Sequence, residues 1–271
     1  MSRQRSQRGL IASTAAFIVL LACALGAPVL SPAPPTTQDL TSSLAAPSLK
    51  HPLGCDKLGR DVAARLLHGA RVSLTIGAVT VLISLMIGAT LGAIAGYVGG
   101  AVDFWAMRVV DVFLAFPGLL LAIALAAVLG PGVGNVIIAL AATGWTGYAR
   151  LVRGEVMRLR SREHVEAARA LGMGETRILL RHIAPLLVAP LSVQASFGIA
   201  GAIVAEAGLG FLGLGVAPPT PSWGSMLAEG RGFMLIAPRL VILPGLAISV
   251  TVLVLNLLGE SLRDALDVRA Q

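Results

Sequence analysis

The stretch SREHVEAARALGMGETRILLRHIAP, residues 161–185, is a polar, arginine-bearing segment between two long apolar runs. Ser161 is placed to cap a helix start, and Glu163 and Glu166 fall in its first turns, where carboxylates suit the positive end of the helix. Val165, Ala168 and Leu171 recur every three residues and predict one narrow apolar stripe. Gly172 then ends the helix, because glycine tolerates the left-handed backbone that closes it. A second helix follows, with Leu179, Ile183, Leu186 and Leu187 on one face and Arg177 and Arg181 on the other. Pro185 marks a bend into the next apolar run. The small pair Ala167–Ala168 would admit another protein's surface. The competing reading is an amphipathic helix lying on lipid, its arginines against phosphates.

Composition decides what surrounds this segment. The 271 residues are 56% hydrophobic and only 13% charged, with a mean hydropathy of +0.83, whereas soluble domains average about 25% charged residues. The chain is therefore read as an all-α polytopic membrane protein, long enough for about six spans of ~20 residues. The net charge of +7 gives no argument for nucleic acid, since the arginines cluster at the ends of apolar runs. No GxxxxGK[ST] run is present, so the chain carries no phosphate loop for ATP. Cys23 lies in the first apolar run and Cys55 in a loop, so no disulfide, metal site or cofactor site is expected from them.

Taken outward from 161–185, the chain reads as alternating spans and turns. Arg3, Arg5 and Arg8 precede the apolar run Leu10–Leu30. Leu20-Leu21-Ala22-Cys23 has the look of a lipoprotein cleavage site, but the run continues past it and reads as an uncleaved anchor. Residues 31–50, rich in Pro, Ser and Thr, form an extended linker. In residues 51–74, Asp56 and Asp61 pair locally with Arg60 in a tight turn. Val62, Arg65, Leu66 and Leu67 then predict a short interfacial helix. His51, Asp56 and His68 are too scattered for chemistry. The second span covers 72–98, with Gly88, Gly92 and Gly96 offering a face for close helix packing. The third is 105–129, kinked at Pro117. After GPGVGN the fourth runs to about Ala149, and the fifth covers 186–208 with Glu206 near its interface. A Gly- and Pro-rich loop follows over 208–237, where Trp223 would sit at the headgroups. The sixth span is 238–259, with a break at Pro244–Gly245.

Three separated motifs resemble one family. Glu166-Ala167-Ala168, then Gly172, with His182-Ile183 before Pro185, is similar to the EAA loop of ABC importer permeases of the dipeptide/oligopeptide/nickel family. Ala184 stands where leucine is usual. Residues 51–74 resemble the segment before the second span of the C-type (second) permease subunit, with Cys55 in place of threonine, which adds a reactive thiol. AEAGLGFLGLGVAPPTPSWG, residues 205–224, is the third. The resemblance implies that Glu166, Ala167, Ala168, Arg169, Leu171 and Gly172 form a coupling helix that seats on a cytoplasmic ATPase. It also implies a heterodimer with a second homologous permease, two ATP-binding subunits, and an extracytoplasmic solute-binding protein. Residues 51–271 would be the transport domain, and residues 1–50 an anchor span with its extracytoplasmic linker. The chain would then be a non-catalytic subunit, helping to form the path for peptides or a related solute such as nickel.

Orientation follows from counting. With six spans and both ends inside, inner segments hold fourteen arginines and outer segments seven basic residues, which favours cytoplasmic termini in a bacterial inner membrane. The alternative is a stand-alone secondary transporter or channel, which would need a polar ion path at mid-membrane; the spans are almost uncharged there. An embedded enzyme would need paired acids or a nucleophile–base spacing, and none is found.

Overall fold

The computed structural model describes residues 2–31 and 34–267. Its helices are α1 (Ser2–Leu25), α2 (Ala27–Leu30), α3 (Val62–Val98), α4 (Gly100–Leu114), α5 (Gly118–Leu129), α6 (Val133–Leu159), α7 (Glu163–Ala170), α8 (Glu175–Ile178), α9 (Ala184–Phe211), α10 (Trp223–Gly230) and α11 (Arg239–Asp267). No strand occurs among the described residues, as befits a chain whose backbone polar groups must be satisfied within lipid. Three stretches are long and apolar enough to cross a membrane on their own: Val62–Val98, Glu175–Phe211 and Arg239–Leu266. The pair α4 and α5 adds a bent span. With the apolar Gly9–Leu25 of α1 and α6, the protein has about six transmembrane segments.

The centre of the fold is the contact of α3 with α6. Gly88, Gly92 and Gly96 bring α3 against the backbone of α6 at Trp145, Ala149 and Arg153. The four-residue glycine repeat thus serves packing within the chain. On the other side α9 lies against α11 and α3, and α1 lies against α11 and α3. One buried cluster joins Leu74, Ile203, Trp223, Leu240 and Leu255 at these contacts. A second joins Ile76, Ala126, Val136, Ala139 and Leu209.

Several expectations are corrected. The short interfacial helix at 62–67 is the first two turns of α3, started by Asp61, whose side chain accepts the Ala64 N–H at 2.8 Å. Pro117 does more than kink the third span: α4 and α5 meet at 79°, because proline lacks the N–H and disfavours helix in the residue before it. The fourth span does not end at Ala149; α6 continues to Leu159. Pro244 produces no break, since α11 runs through it; it lies in the helix's second turn, where little of the preceding ladder is lost. The linker is no free tether. Its backbone pairs with the following turn through Leu44 N–H to the Asp56 carbonyl (2.9 Å) and Cys55 N–H to the Ala45 carbonyl (3.0 Å). Trp223 is not at a headgroup surface but is 3% exposed, its indole N–H donating to the Leu66 carbonyl at 3.1 Å. Of the residues counted for orientation, Arg269 lies outside the described residues, as do the side chains of Arg3, Arg5 and Arg8.

Candidate functional site

The loop between α6 and α9 holds all six residues singled out in the sequence. Ser161 does not cap α7: Arg162 occupies the cap position with no side-chain cap bond, and the Ser161 hydroxyl turns back to the Arg158 carbonyl. Without that cap, α7 is held from beneath. Val165 and Ala168 are buried together with Val152, Val156, Leu159, Ile178, Ile183 and Leu187. This corrects the expectation that Ala168 faces outward; the three-residue spacing with Val165 put it on the inner stripe. Leu171, expected on that stripe, is instead 82% exposed, since the helix ends at Ala170 and the chain turns away. Glu166, Ala167, Arg169 and Ala170 are exposed as well.

Gly172 closes the helix with φ +78, its N–H donating to the Arg169 carbonyl at 2.9 Å. A left-handed backbone costs an L side chain roughly 1–2 kcal/mol, so glycine is the fitting residue here. The turn is tied down by Glu175, which pairs with Arg169 (3.1 Å) and accepts from the Tyr97 hydroxyl at the end of α3. The second helix continues through Pro185 into the next apolar run. α8 passes through a π turn, Leu179–Ile183, straight into α9. Such a bulge is a recognised way for a helix to absorb a local irregularity. Here it comes just before Pro185, which has no N–H to donate.

The same end of the bundle carries ion pairs that fix α4 against the charged extension of α6. Arg153 binds Asp103 through both guanidinium nitrogens, and Arg150 meets Asp111 at 2.7 Å. Arg160 donates to the Gly96 and Tyr97 carbonyls at 3.0 and 3.1 Å, satisfying the C-terminal end of α3. α7 therefore stands on a braced platform, with one face packed and the other exposed among the described residues.

Residues 88–271 match the family model described as binding-protein-dependent transport system inner membrane component. The chain belongs to this permease family. It is 50% identical to a glutathione transport system permease protein of Pectobacterium atrosepticum, over 82% of this chain and 73% of that one. It is 44% identical to the dipeptide transport system permease protein of Alkalihalophilus pseudofirmus, over 96% and 84%. A di/tripeptide transport system permease of Pseudomonas aeruginosa is also 44% identical, over 96% and 88%. Among solved structures, the MetNI methionine ABC transporter in inward-facing conformations aligns with a TM-score of 0.56 and 16% identity, covering 74% of this chain and 95% of that one. That likeness is one of fold. The protein is thus a multi-pass permease subunit of an ABC importer, as the EAA-like loop implied.

At the far end of the permease lies a charged cluster that the sequence disclosed only in part. The local Asp56–Arg60 pair is present at 2.6 Å. Arg65, 2% exposed, joins it, meeting Asp56 at 2.5 Å and Glu229 of α10 at 3.0 Å, while Arg60 also reaches Glu229. Burial pushes the Asp56 carboxyl up, but the Arg60 N–H, the Arg65 guanidinium, the Leu58 N–H and the Arg60 guanidinium outweigh it and hold it below its ordinary value. Sequence separation hid Glu229, 164 residues from Arg65. Arg239 clamps the 34–50 segment, donating to the Leu44 and Ala45 carbonyls at 2.9 and 2.8 Å. Cys55 is fully buried and burial raises its thiol pKa, which leaves it unreactive rather than reactive. Both cysteines are free. Glu206, placed near the interface from sequence, is 0% exposed. It accepts from the Ser73 hydroxyl at 2.9 Å, and that oxygen in turn receives the Trp223 N–H at 3.3 Å. Glu206 thus joins α3, α9 and the start of α10.

Proposed function

We propose that this chain pairs with a second, homologous permease to form the membrane path of an importer for short peptides, glutathione-sized solutes included. Two cytoplasmic ATP-binding subunits would drive it, and an extracytoplasmic binding protein would deliver the solute. The relatives named for dipeptides, di/tripeptides and glutathione support the solute class. Residues 51–271 would carry transport, with α1 an accessory anchor and both termini cytoplasmic. The excess of arginine on the α7 side supports that orientation.

The observation that carries the coupling role is the division of α7 into a packed inner face and an unpartnered outer one. Val165 and Ala168 fix it to the bundle, while Glu166, Ala167 and Leu171 remain free to seat in an ATPase groove. A single exposed leucine fits a small apolar socket on a protein better than a lipid surface, which would need a continuous apolar face.

The test is co-purification of the ATPase subunits with variants of the permease. Ala167→Glu and Leu171→Asp remove no internal packing, so the protein should insert and keep its melting temperature. Docking and solute-stimulated ATP hydrolysis should fall, with peptide binding by the extracytoplasmic partner unchanged. Arg158→Gln is the control. Full docking and stimulation in both variants would show that residues 163–172 are not the coupling helix. Peptide uptake by the permease without ATPase subunits would favour a stand-alone transporter.

A further inference from the structure

We infer that Arg71, with His68 and Thr220, forms an oxyanion site for the carboxylate of the transported solute at the end of the bundle opposite α7. The inference rests on the peptide-import reading above.

The permease gives the other arginines at this end partners. Arg60 and Arg65 meet Asp56 and Glu229, Arg239 donates to two carbonyls, and Arg231 stacks over the Phe211 ring at 5.3 Å. Arg71 differs. Among the described residues its guanidinium has no hydrogen bond, ion pair or ring contact, and it lies exposed just before the 72–98 span. Its guanidinium lines a recess of about 400 Å³ beside His68 and Thr75 of α3 and Thr220 and Pro221 of the loop before α10, with Val72 and Val133 closing the apolar side.

The chemistry of that lining selects a ligand. An exposed arginine at the end of a span, with no counter-ion among the described residues, is open to an anion that comes to it. Its planar fork matches a carboxylate with two parallel hydrogen bonds. The imidazole of His68 and the hydroxyl of Thr220 add donors on the same wall, while the Thr75 hydroxyl donates to the Arg71 carbonyl at 2.7 Å. A few convergent polar groups in an otherwise apolar hollow are the usual composition of a small-ligand site. The volume lies near the low end of the ~300–1,000 Å³ usual for small-ligand sites and suits a peptide of two or three residues. Lipid phosphate shares the oxyanion chemistry. A threonine-lined recess roofed by the 220–221 loop favours a diffusing solute over a bilayer headgroup.

The test uses the full importer in vesicles, with the binding protein saturated so that its own affinity cancels. Arg71→Gln should slow uptake of a free dipeptide about tenfold, the worth of one charge-assisted pair, and Arg71→Lys should recover much of the rate. The same dipeptide amidated at its C-terminus should be slowed no further by Arg71→Gln, and this arm also reports that the variant is folded and assembled. An equal loss for both peptides, no loss in Arg71→Gln, or no recovery in Arg71→Lys overturns the site. So does a loss that disappears when anionic lipid is replaced by zwitterionic lipid, which assigns Arg71 to a headgroup. Wild-type importer that moves no peptide refutes the peptide reading instead, and this inference falls with it.

Discussion

Replacing Gly96 by alanine tests whether the α3–α6 contact organises the bundle. A methyl group at Gly96 would lie 2.7 Å from the Arg153 carbonyl oxygen, 3.1 Å from the Arg153 Cα and 3.2 Å from the Val156 Cβ. Ordinary contact begins at 3.4 Å, so the helices would have to part by about 0.7 Å, as the close packing of interiors leaves no slack. The obstacle is backbone, which cannot swing aside as a long side chain could. Overpacking of this kind costs typically 1–3 kcal/mol. Against it stands the helix preference of alanine over glycine, about 0.5–1 kcal/mol, and less than that in the last turn of α3. The net is roughly 1–2 kcal/mol of destabilisation, or a melting temperature lowered by about 2–8 °C on the usual scale for a chain of this size. Gly154, on α6, has nothing within 4 Å of a built methyl; alanine there should raise the melting temperature by about 1–4 °C. Thermal unfolding of the purified permease in one detergent measures both. If Gly96→Ala is as stable as wild type, or the two substitutions have the same sign, the close approach of α3 to α6 is not what holds this bundle.

The Asp56 carboxyl is held below its ordinary value, so the stability it contributes is complete above about pH 4 and is lost as the pH falls through its lower folded value. A melting temperature flat from pH 8 to 5 and falling below pH ~4 is expected, with a shallower fall in Asp56→Asn. Arg65→Met leaves Asp56 and Glu229 short of a buried partner and should destabilise the permease by about 3 kcal/mol, whereas Arg65→Met with Glu229→Leu should recover part of that loss; denaturation of the three proteins checks it. For topology, in a background lacking Cys23 and Cys55, a cysteine replacing Ser161 should react with an impermeant thiol reagent only from the cytoplasmic side. One replacing Leu235, 99% exposed, should react only from outside; reversed labelling would reject the orientation.

What could be read in the sequence was whatever depends on neighbours along the chain. Helix ends at Gly172 and around GPGVGN need only a left-handed backbone, and glycine announces it. Apolar runs announce spans, and the glycine repeat announces a close approach, though not that its partner would be α6. What stayed hidden needs two distant segments at once. Nothing near Glu206 names Ser73, and nothing near Arg65 names Glu229. Trp223 was assigned to the headgroups on a general preference of tryptophan, but Gly69 leaves room for its ring beside α3. In the 161–185 segment, periodicity identified a stripe correctly at Val165 and Ala168. It failed at Leu171, because helical spacing stops meaning anything once the helix has stopped.

The unbroken helix from Glu175 to Phe211 has a mechanical consequence. At 1.5 Å per residue its 37 residues make a rod about 55 Å long. One close crossing is at Gly198, where an added methyl would meet the Tyr148 hydroxyl and Val81. A crossing that close acts as a fulcrum, about 35 Å from Glu175 and about 20 Å from Phe211. Tilting about it would carry a push at the α7 end to the loop before α10 with the direction reversed and a little over half the amplitude. The two mouths of the path would then move in antiphase, one narrowing as the other widens, without any signal being relayed between side chains. Spin-label distances at Arg177 and Leu212, measured against α6, would show opposite changes on ATP binding; changes of the same sign would mean the rod translates instead.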